Sequence, residues 1–277
     1  MQPTLSIITI NLNNREGLRR TIESVIAQTF IDYEWIVIDG GSTDGSKELI
    51  EQHADHFSYW CSESDTGIYN AMNKGIRQAK GEWLQFLNSG DSLYEETTLQ
   101  KVFERKYSSD VLYGNSKVVS NNGSIVDHIG PDNLSYSYIY CGYPISHQAS
   151  FFRKGVFEVV LYNENHRIVS DCECYLNLIL KGYRFEHINQ FVVWYDNTGI
   201  SIKMLSASWQ EWKEVRDGCP YHLRPDMDWI SRFHQVYLNG RLCTAMTHFF
   251  LSLVACMSRC RNCLVAWRIK IKNKHHR

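Results

Sequence analysis

Residues 82–91, Glu-Trp-Leu-Gln-Phe-Leu-Asn-Ser-Gly-Asp, run an apolar stretch into a short turn that ends on a lone carboxylate, Asp91. Mg²⁺ and Mn²⁺ are hard ions held by one or two carboxylates together with substrate phosphates, so an acid in this setting suits a cation gripping a diphosphate. Trp83, Leu84, Phe86 and Leu87 leave neither face of the stretch polar. It therefore reads as a buried strand of a parallel sheet covered by helices. In such sheets ligands enter at the carboxyl ends of the strands, and Gly90 permits the sharp turn that aims Asp91 there. The competing reading is a helix N-cap, since Ser89 and Asp91 both cap well and a helical stretch with Glu95 and Glu96 follows.

The elements that position this acid begin at the N-terminus. Residues 4–12 and 34–39 are two more continuous apolar strands, each ending in polar or glycine-rich sequence. Between them, residues 14–30 place Leu18, Ile22, Val25, Ile26 and Phe30 on one helical face, with Asn13 or Asn14 as the cap. This is a β-α-β unit, so the fold class is α/β. The second strand ends on Asp39, followed by Gly40-Gly41-Ser42-Thr43-Asp44-Gly45 and a helix over about 44–54. Asp39 beside two glycines is placed to accept hydrogen bonds from a nucleobase or ribose that approaches the backbone.

The ordered series Val37-Ile38-Asp39-Gly40-Gly41-Ser42-Thr43-Asp44-Gly45, Ser64-Asp65-Thr66-Gly67-Ile68-Tyr69-Asn70-Ala71-Met72-Asn73-Lys74-Gly75 and Phe86-Leu87-Asn88-Ser89-Gly90-Asp91 closely resembles the bacterial family 2 glycosyltransferases. The nearest branch is that of exopolysaccharide synthesis, which includes the colanic acid enzymes. The resemblance covers about residues 4–202 and implies a GT-A-like, Rossmann-related, mostly parallel sheet flanked by helices. It divides the chain into a catalytic domain over 1–202, with a nucleotide-sugar half at 1–110 and an acceptor half at 111–202, and a helical C-terminal region over 203–277.

The same resemblance implies roles. Asp39 matches the aspartate that recognises the base, Thr9 or Asn11 line the same pocket, and Asp65 faces the nucleotide. Asp91 matches the metal-binding aspartate, so a divalent cofactor, Mn²⁺ or Mg²⁺, is expected. The commoner pattern ends Asp-Asp, whereas this chain has Gly90-Asp91, and Asn88 is the candidate to supply the missing contact. His147 and Gln148 match the family's acceptor-side strand, although a lone histidine is more often a hydrogen-bonded core residue. Val169-Ser170-Asp171-Cys172-Glu173 resembles its acidic helix start. Inversion at an anomeric carbon needs a carboxylate to take the acceptor hydroxyl's proton, which points to Asp171 as base at the positive end of a helix over about 171–181. The plainer reading of Asp171 is again an N-cap. Glu173 is expected to bind the acceptor sugar, and residues 197–201 resemble a segment that orders over bound donor.

Composition bounds the partners. At 277 residues and 44% hydrophobic, the chain suffices for one large α/β core with an appendage. The nine cysteines show no paired spacing and no signal peptide precedes the first strand, which favours the cytoplasm; Cys243, Cys256, Cys260 and Cys263 lack the second tight pair of a zinc site. The net charge of −1 conceals an asymmetry, for nine of the 29 Lys and Arg residues and none of the acidic ones lie beyond Asp228. Residues 242–257 are apolar but shorter than the roughly 20 residues of a membrane span. With Trp267 and the cationic end they suggest a surface-lying helix on an anionic membrane at the inner face of the cell membrane, against the alternative of a helix packed on the domain. Nucleic acid is not expected as a partner, because no binding module accompanies the charge.

The expected function is transfer of a sugar, with inversion, from a nucleoside diphosphate donor, UDP the favoured base, to a glycan or lipid-linked acceptor in surface polysaccharide synthesis. The rivals are a sugar-nucleotide nucleotidyltransferase, which should carry a glycine-rich basic loop where Asn11-Leu12-Asn13-Asn14-Arg15 stands, and a non-catalytic nucleotide-sugar-binding scaffold.

Overall fold

β1 (Leu5–Asn11) is buried along its whole length, and β2 (Tyr33–Asp39) is buried after its first residue. Strands apolar on both faces belong inside a covered sheet, and the two pair in parallel from Leu5 against Tyr33 to Asn11 against Asp39. Between them α1 (Arg15–Ile26) turns Leu18, Ile22 and Val25 into the core. Asn14 caps it, accepting from the Gly17 amide at 3.2 Å. These coordinates come from a computed structural model that describes residues 2–120, 122–142, 145–199 and 204–220.

The first half continues as a parallel layer. α2 (Ser46–Gln52) and a short 3₁₀ turn lead to β3 (Tyr59–Ser62), then α3 (Ile68–Gln78) leads to β4 (Trp83–Phe86). β3 pairs with β2 and β4 with β1, all parallel. Every residue of β4 is buried, as its two apolar faces require. The carboxyl ends of β1, β2, β3 and β4 thus open on one side of the sheet, each followed by a polar turn.

Beyond β4 the sheet becomes mixed. β5 (Ser92–Leu93), α4 (Thr98–Phe103), β6 (Val111–Val119), β7 (Ile125–His128), α5 (Tyr136–Tyr140), β8 (Ser150–Arg153), α6 (Ser170–Leu180) and β9 (Phe185–Asp196) follow. The strand order is β3-β2-β1-β4-β8-β6-β9-β5, with β7 on β6. β8 is antiparallel to both β4 and β6, while β9 runs parallel to β6 and antiparallel to β5. One apolar core spans both halves, from Leu5, Trp35 and Trp83 to Leu112, Phe151 and Val193. Each such large side chain contributes about 1.5–3 kcal/mol when fully buried.

The chain divides into two compact units. The first holds residues 1–134 and 145–212; the second holds 135–144 and 213–277. α7 (Leu205–Gly218) starts in the first and ends in the second. In the second unit α5 is capped by Ser135, whose hydroxyl accepts from the Tyr138 amide at 3.2 Å. The apolar segment 242–257, the basic tail and the four late cysteines lie outside the described residues. Among the described residues no helix is long and apolar enough to cross a membrane.

Candidate active site

A cleft of about 700 Å³ lies at the carboxyl ends of the parallel strands, within the first unit. Asn11, Asp65, Asn88, Asp91, Gln148 and Asp171 line it, so residues from both sequence halves meet in one cavity.

On the nucleotide side Asp39 is fully buried and hydrogen-bonded on all sides. It accepts from Asn11 Nδ2 at 2.7 Å, from the Ser42 hydroxyl and amide at 2.5 and 2.9 Å, and from the Ser62 hydroxyl at 2.6 Å. Burial would raise its carboxyl, but these bonds outweigh that and hold it below the usual carboxylate value. Thr9 is likewise fully buried, its Oγ1 accepting from Trp35 Nε1 at 3.0 Å. The wall itself is formed by Asn11 and Asp65. Only the amide nitrogen of Asn11 can face the Asp39 carboxylate, which leaves Asn11 Oδ1 turned away, buried and without a partner among the described residues. Asp65 accepts from the Gly67 amide at 2.9 Å and covers Gly40, where a methyl group would meet Asp65 Oδ2 at 2.6 Å.

The turn carrying Asp91 is built by α1. Thr21 Oγ1 donates to the Asp91 carbonyl at 2.7 Å and accepts from the Gly90 amide at 3.1 Å. Gly90 has φ +108°, a left-handed backbone that only glycine adopts without strain. Asp91 caps no helix, since the next one, α4, starts from Thr97. Its carboxyl is buried, which pushes it up to about 8; the nearby Asp196 charge adds to the rise, while the Asp196 amide at 3.0 Å, Gln148 and Arg20 oppose it. Asn88 also lines the cleft, and its Oδ1 is buried without a partner among the described residues.

On the acceptor side Asp171 stands in the first turn of α6, near Tyr69 of α3. The Tyr69 hydroxyl lies 3.1 Å from Asp171 Oδ1 and 2.7 Å from the Ile168 carbonyl. Burial and then the Asp171 charge raise this phenol well above its ordinary value, so it stays protonated and donates. Asp171 Oδ1 also takes the Cys172 amide at 2.9 Å, so it contributes to the helix start as well as facing the cleft. His147 is buried, pairs through Nε2 with Tyr162 at 2.7 Å, and burial lowers its basicity, leaving a neutral ring stacked on Phe86. Glu173 is set behind the wall, where it holds His166 Nδ1 at 2.9 Å, and it is His166 that lines the cleft.

The family model described as "Glycosyl transferase family 2" matches residues 6–155, more than half of the chain. The chain belongs to glycosyl transferase family 2. This glycosyltransferase is 33% identical over 197 residues to a PGL/p-HBAD biosynthesis glycosyltransferase of Mycobacterium bovis, a match covering 67% of this chain and 75% of that one. It is 25% identical over 235 residues to TuaG of Bacillus subtilis, a putative teichuronic acid biosynthesis glycosyltransferase, covering 78% and 88%. Its fold is that of S. aureus TarS residues 1–349 in complex with UDP-GlcNAc, with a TM-score of 0.62 at 19% identity over 76% of this chain and 64% of that one. The match thus spans somewhat less than two thirds of the TarS chain.

One acid of this glycosyltransferase escaped the sequence reading. Asp196, the last residue of β9, lines the cleft beside Asp91 and is paired with Arg20 at 3.0 Å. A Cβ on Gly90 would lie 3.5 Å from Asp196 Oδ2, so Asp196 fills the space next to the position where the commoner family pattern would carry the aspartate before Asp91. The motif at residues 197–201, of which 200 and 201 lie outside the described residues, begins one position later, and only the pairing of β9 with β6 and β5 brings residue 196 to Asp91.

Proposed function

We propose that this glycosyltransferase moves a sugar from a nucleoside diphosphate sugar, with a UDP-sugar as the favoured donor, to a hydroxyl of a glycan or lipid-linked acceptor in cell-surface polysaccharide synthesis, with inversion. The observation that carries the reading is the single cleft shared by the Asp91 turn and the Asp171 helix start. TarS bound to UDP-GlcNAc and relatives named for PGL/p-HBAD and teichuronic acid biosynthesis support the donor and acceptor classes.

Asn11 Oδ1 is the acceptor for a base N–H, oriented by Asp39 from behind; Asp65 faces the sugar of the nucleoside. An unpaired buried oxygen costs about 1–3 kcal/mol, which a ligand donor recovers. Asp171, held by Tyr69, takes the proton of the acceptor hydroxyl as its oxygen forms the new bond to the anomeric carbon. The bond from that carbon to the diphosphate oxygen breaks, and the nucleoside diphosphate leaves with the electron pair.

A divalent cation fits the donor set. Asp91, Asp196 and the orphaned Asn88 Oδ1 are all hard oxygens, and they are too few to complete a coordination shell, which leaves positions for diphosphate oxygens and water. Among the described residues no group of three or more His, Cys, Asp or Glu side chains could hold a metal ion by itself. When bound, Mn²⁺ or Mg²⁺ supplies charge stabilisation to the departing diphosphate. The acids Asp65, Glu164 and Asp171 share the cleft with this group and only Arg167 among its lining residues opposes them, so a diphosphate entering it gains from a further counter-charge. The reading also places the enzyme in the cytoplasm at the membrane's inner face, on the sequence of the tail.

The test is release of nucleoside diphosphate from a panel of UDP- and GDP-sugars with Mn²⁺, Mg²⁺ or EDTA. Metal-dependent release from at least one UDP-sugar is expected. No turnover of any donor under any condition overturns the reading.

A further inference from the structure

Residues 163–169 contribute Glu164, His166, Arg167 and Ile168 to the cleft wall, yet contain no helix or strand. Their shape therefore depends on contacts made from outside. At one end the Asn163 amide is bonded to Ser170 Oγ at 2.6 Å, and Glu164 is held by Asn70 and Asn73 at 2.7 and 2.8 Å. The other end runs into α6, whose N-cap Val169 has no polar side chain to satisfy the amides that a helix start leaves open.

Glu211, on the part of α7 that belongs to the first unit, holds the three amides that lead into that helix start. Its Oε1 accepts from the Arg167 amide at 2.8 Å, and its Oε2 from the Ile168 and Val169 amides at 2.9 and 3.3 Å. One carboxylate takes three consecutive backbone N–H groups at the positive end of α6, where negative charge is favoured. The peptide between Ile168 and Val169 is gripped twice. Its N–H points to Glu211, and its C=O, opposed in a trans peptide, accepts from Tyr69, the residue that also touches Asp171.

We infer that Glu211 is a positioning residue for the transfer reaction, fixing the acceptor-side loop and, through the 168–169 peptide and Tyr69, the aim of Asp171. The inference rests on the assignment of Asp171 as base made above. Glu211 is not part of the cleft wall, so it acts on the reaction only through these links. A displacement of about 1 Å in a catalytic group costs on the order of 10²-fold in rate, and loss of three amide bonds is sufficient cause for one.

The experiment uses the full chain with Glu211→Ala and Glu211→Gln. Amide hydrogen exchange is read first, because it does not depend on the donor. Exchange at residues 167–169 should accelerate about tenfold or more in the alanine variant, by less in the glutamine variant, whose single amide oxygen keeps part of the grip, and not at all in β1 or β2. Turnover of the UDP-sugar accepted by wild type should lose about 10- to 100-fold in kcat with donor KM changed by less than about twofold, and glutamine should restore part of it. Calorimetry with UDP and Mn²⁺ should give unchanged affinity. Unchanged exchange at 167–169 in the alanine variant overturns the clamp. Faster exchange with normal kcat, or equal losses in kcat and UDP affinity, overturns the positioning role. If wild type turns over no donor, the proposed function fails by itself, while exchange still decides whether Glu211 holds the loop.

Discussion

Asp91 keeps its proton far beyond the ordinary carboxylate range, to about 8, because it is buried beside Asp196. The unfolded chain releases that proton near the ordinary aspartate value of 3.8, so between these limits the folded state binds more protons. Its contribution to stability is therefore fully present below about pH 3.8, falls as pH rises, and levels off above about 8. In metal-free protein the slope reaches at most about 1.4 kcal/mol per pH unit. Thermal unfolding of the EDTA-treated protein between about pH 5 and 8 should show this decline in wild type and a flatter profile in Asp91→Asn. Identical profiles would mean that Asp91 ionises normally. The same substitution removes a hard oxygen donor, so the gain in UDP affinity on adding Mn²⁺ should disappear. Asp171→Asn is expected to behave differently, since it removes the proton acceptor and keeps the shape. Transfer should fall by roughly 10²- to 10⁴-fold with UDP affinity unchanged. Normal transfer by that variant would reduce Asp171 to its contact with the Cys172 amide.

At the scale of elements, the turn after β4 unites backbone and chemistry. Gly90→Ala forces a side chain onto φ +108° and places its Cβ 3.3 Å from Asn14 Nδ2, the residue that caps α1. Strain of this kind costs on the order of 1–3 kcal/mol, so a lower Tm together with weakened Mn²⁺-dependent UDP binding is expected. A variant with unaltered Tm and UDP binding would show the turn to be adaptable. This turn was legible in the sequence because strands buried on both faces announce themselves as apolar runs, and β1, β2 and β4 do so. Burial on both faces also hides which side chains point where. Thr9 and Asn11 share a strand, yet Thr9 is tied to Trp35 inside the core while Asn11 reaches the cleft. The second half was less legible, since short β5 and the crossover that sets β9 between β6 and β5 depend on contacts with no local pattern. Asp196 meets Asp91 across 105 residues, and Glu211 meets the α6 start across 42 to 44. Neither distance leaves a periodicity or a motif to read.

At the scale of the whole molecule, the active-site residues and the basic end stand apart in the sequence. All the residues assigned to donor, base and cation lie in the first unit, before residue 202 except for the clamp at Glu211, and the acid-free stretch starts after Asp228. A cell-surface glycan built on a lipid carrier would keep the acceptor at a membrane, and an enzyme held there meets it at raised local concentration. Each basic side chain near an anionic surface adds about 1 kcal/mol of attraction, to which burial of Phe249, Phe250, Leu251 and Leu253 would add. The 277-residue chain should therefore sediment with anionic vesicles, less with neutral ones, and less with anionic ones at high salt, since screening shortens the reach of charge. Removing residues 241–277 should abolish sedimentation and spare donor hydrolysis, because the truncation leaves Asn11, Asp91, Asp171, Asp196 and Glu211 in place. Equal sedimentation of both forms, or a truncated chain that fails to fold, would assign the apolar segment to the protein's own core instead of a lipid surface.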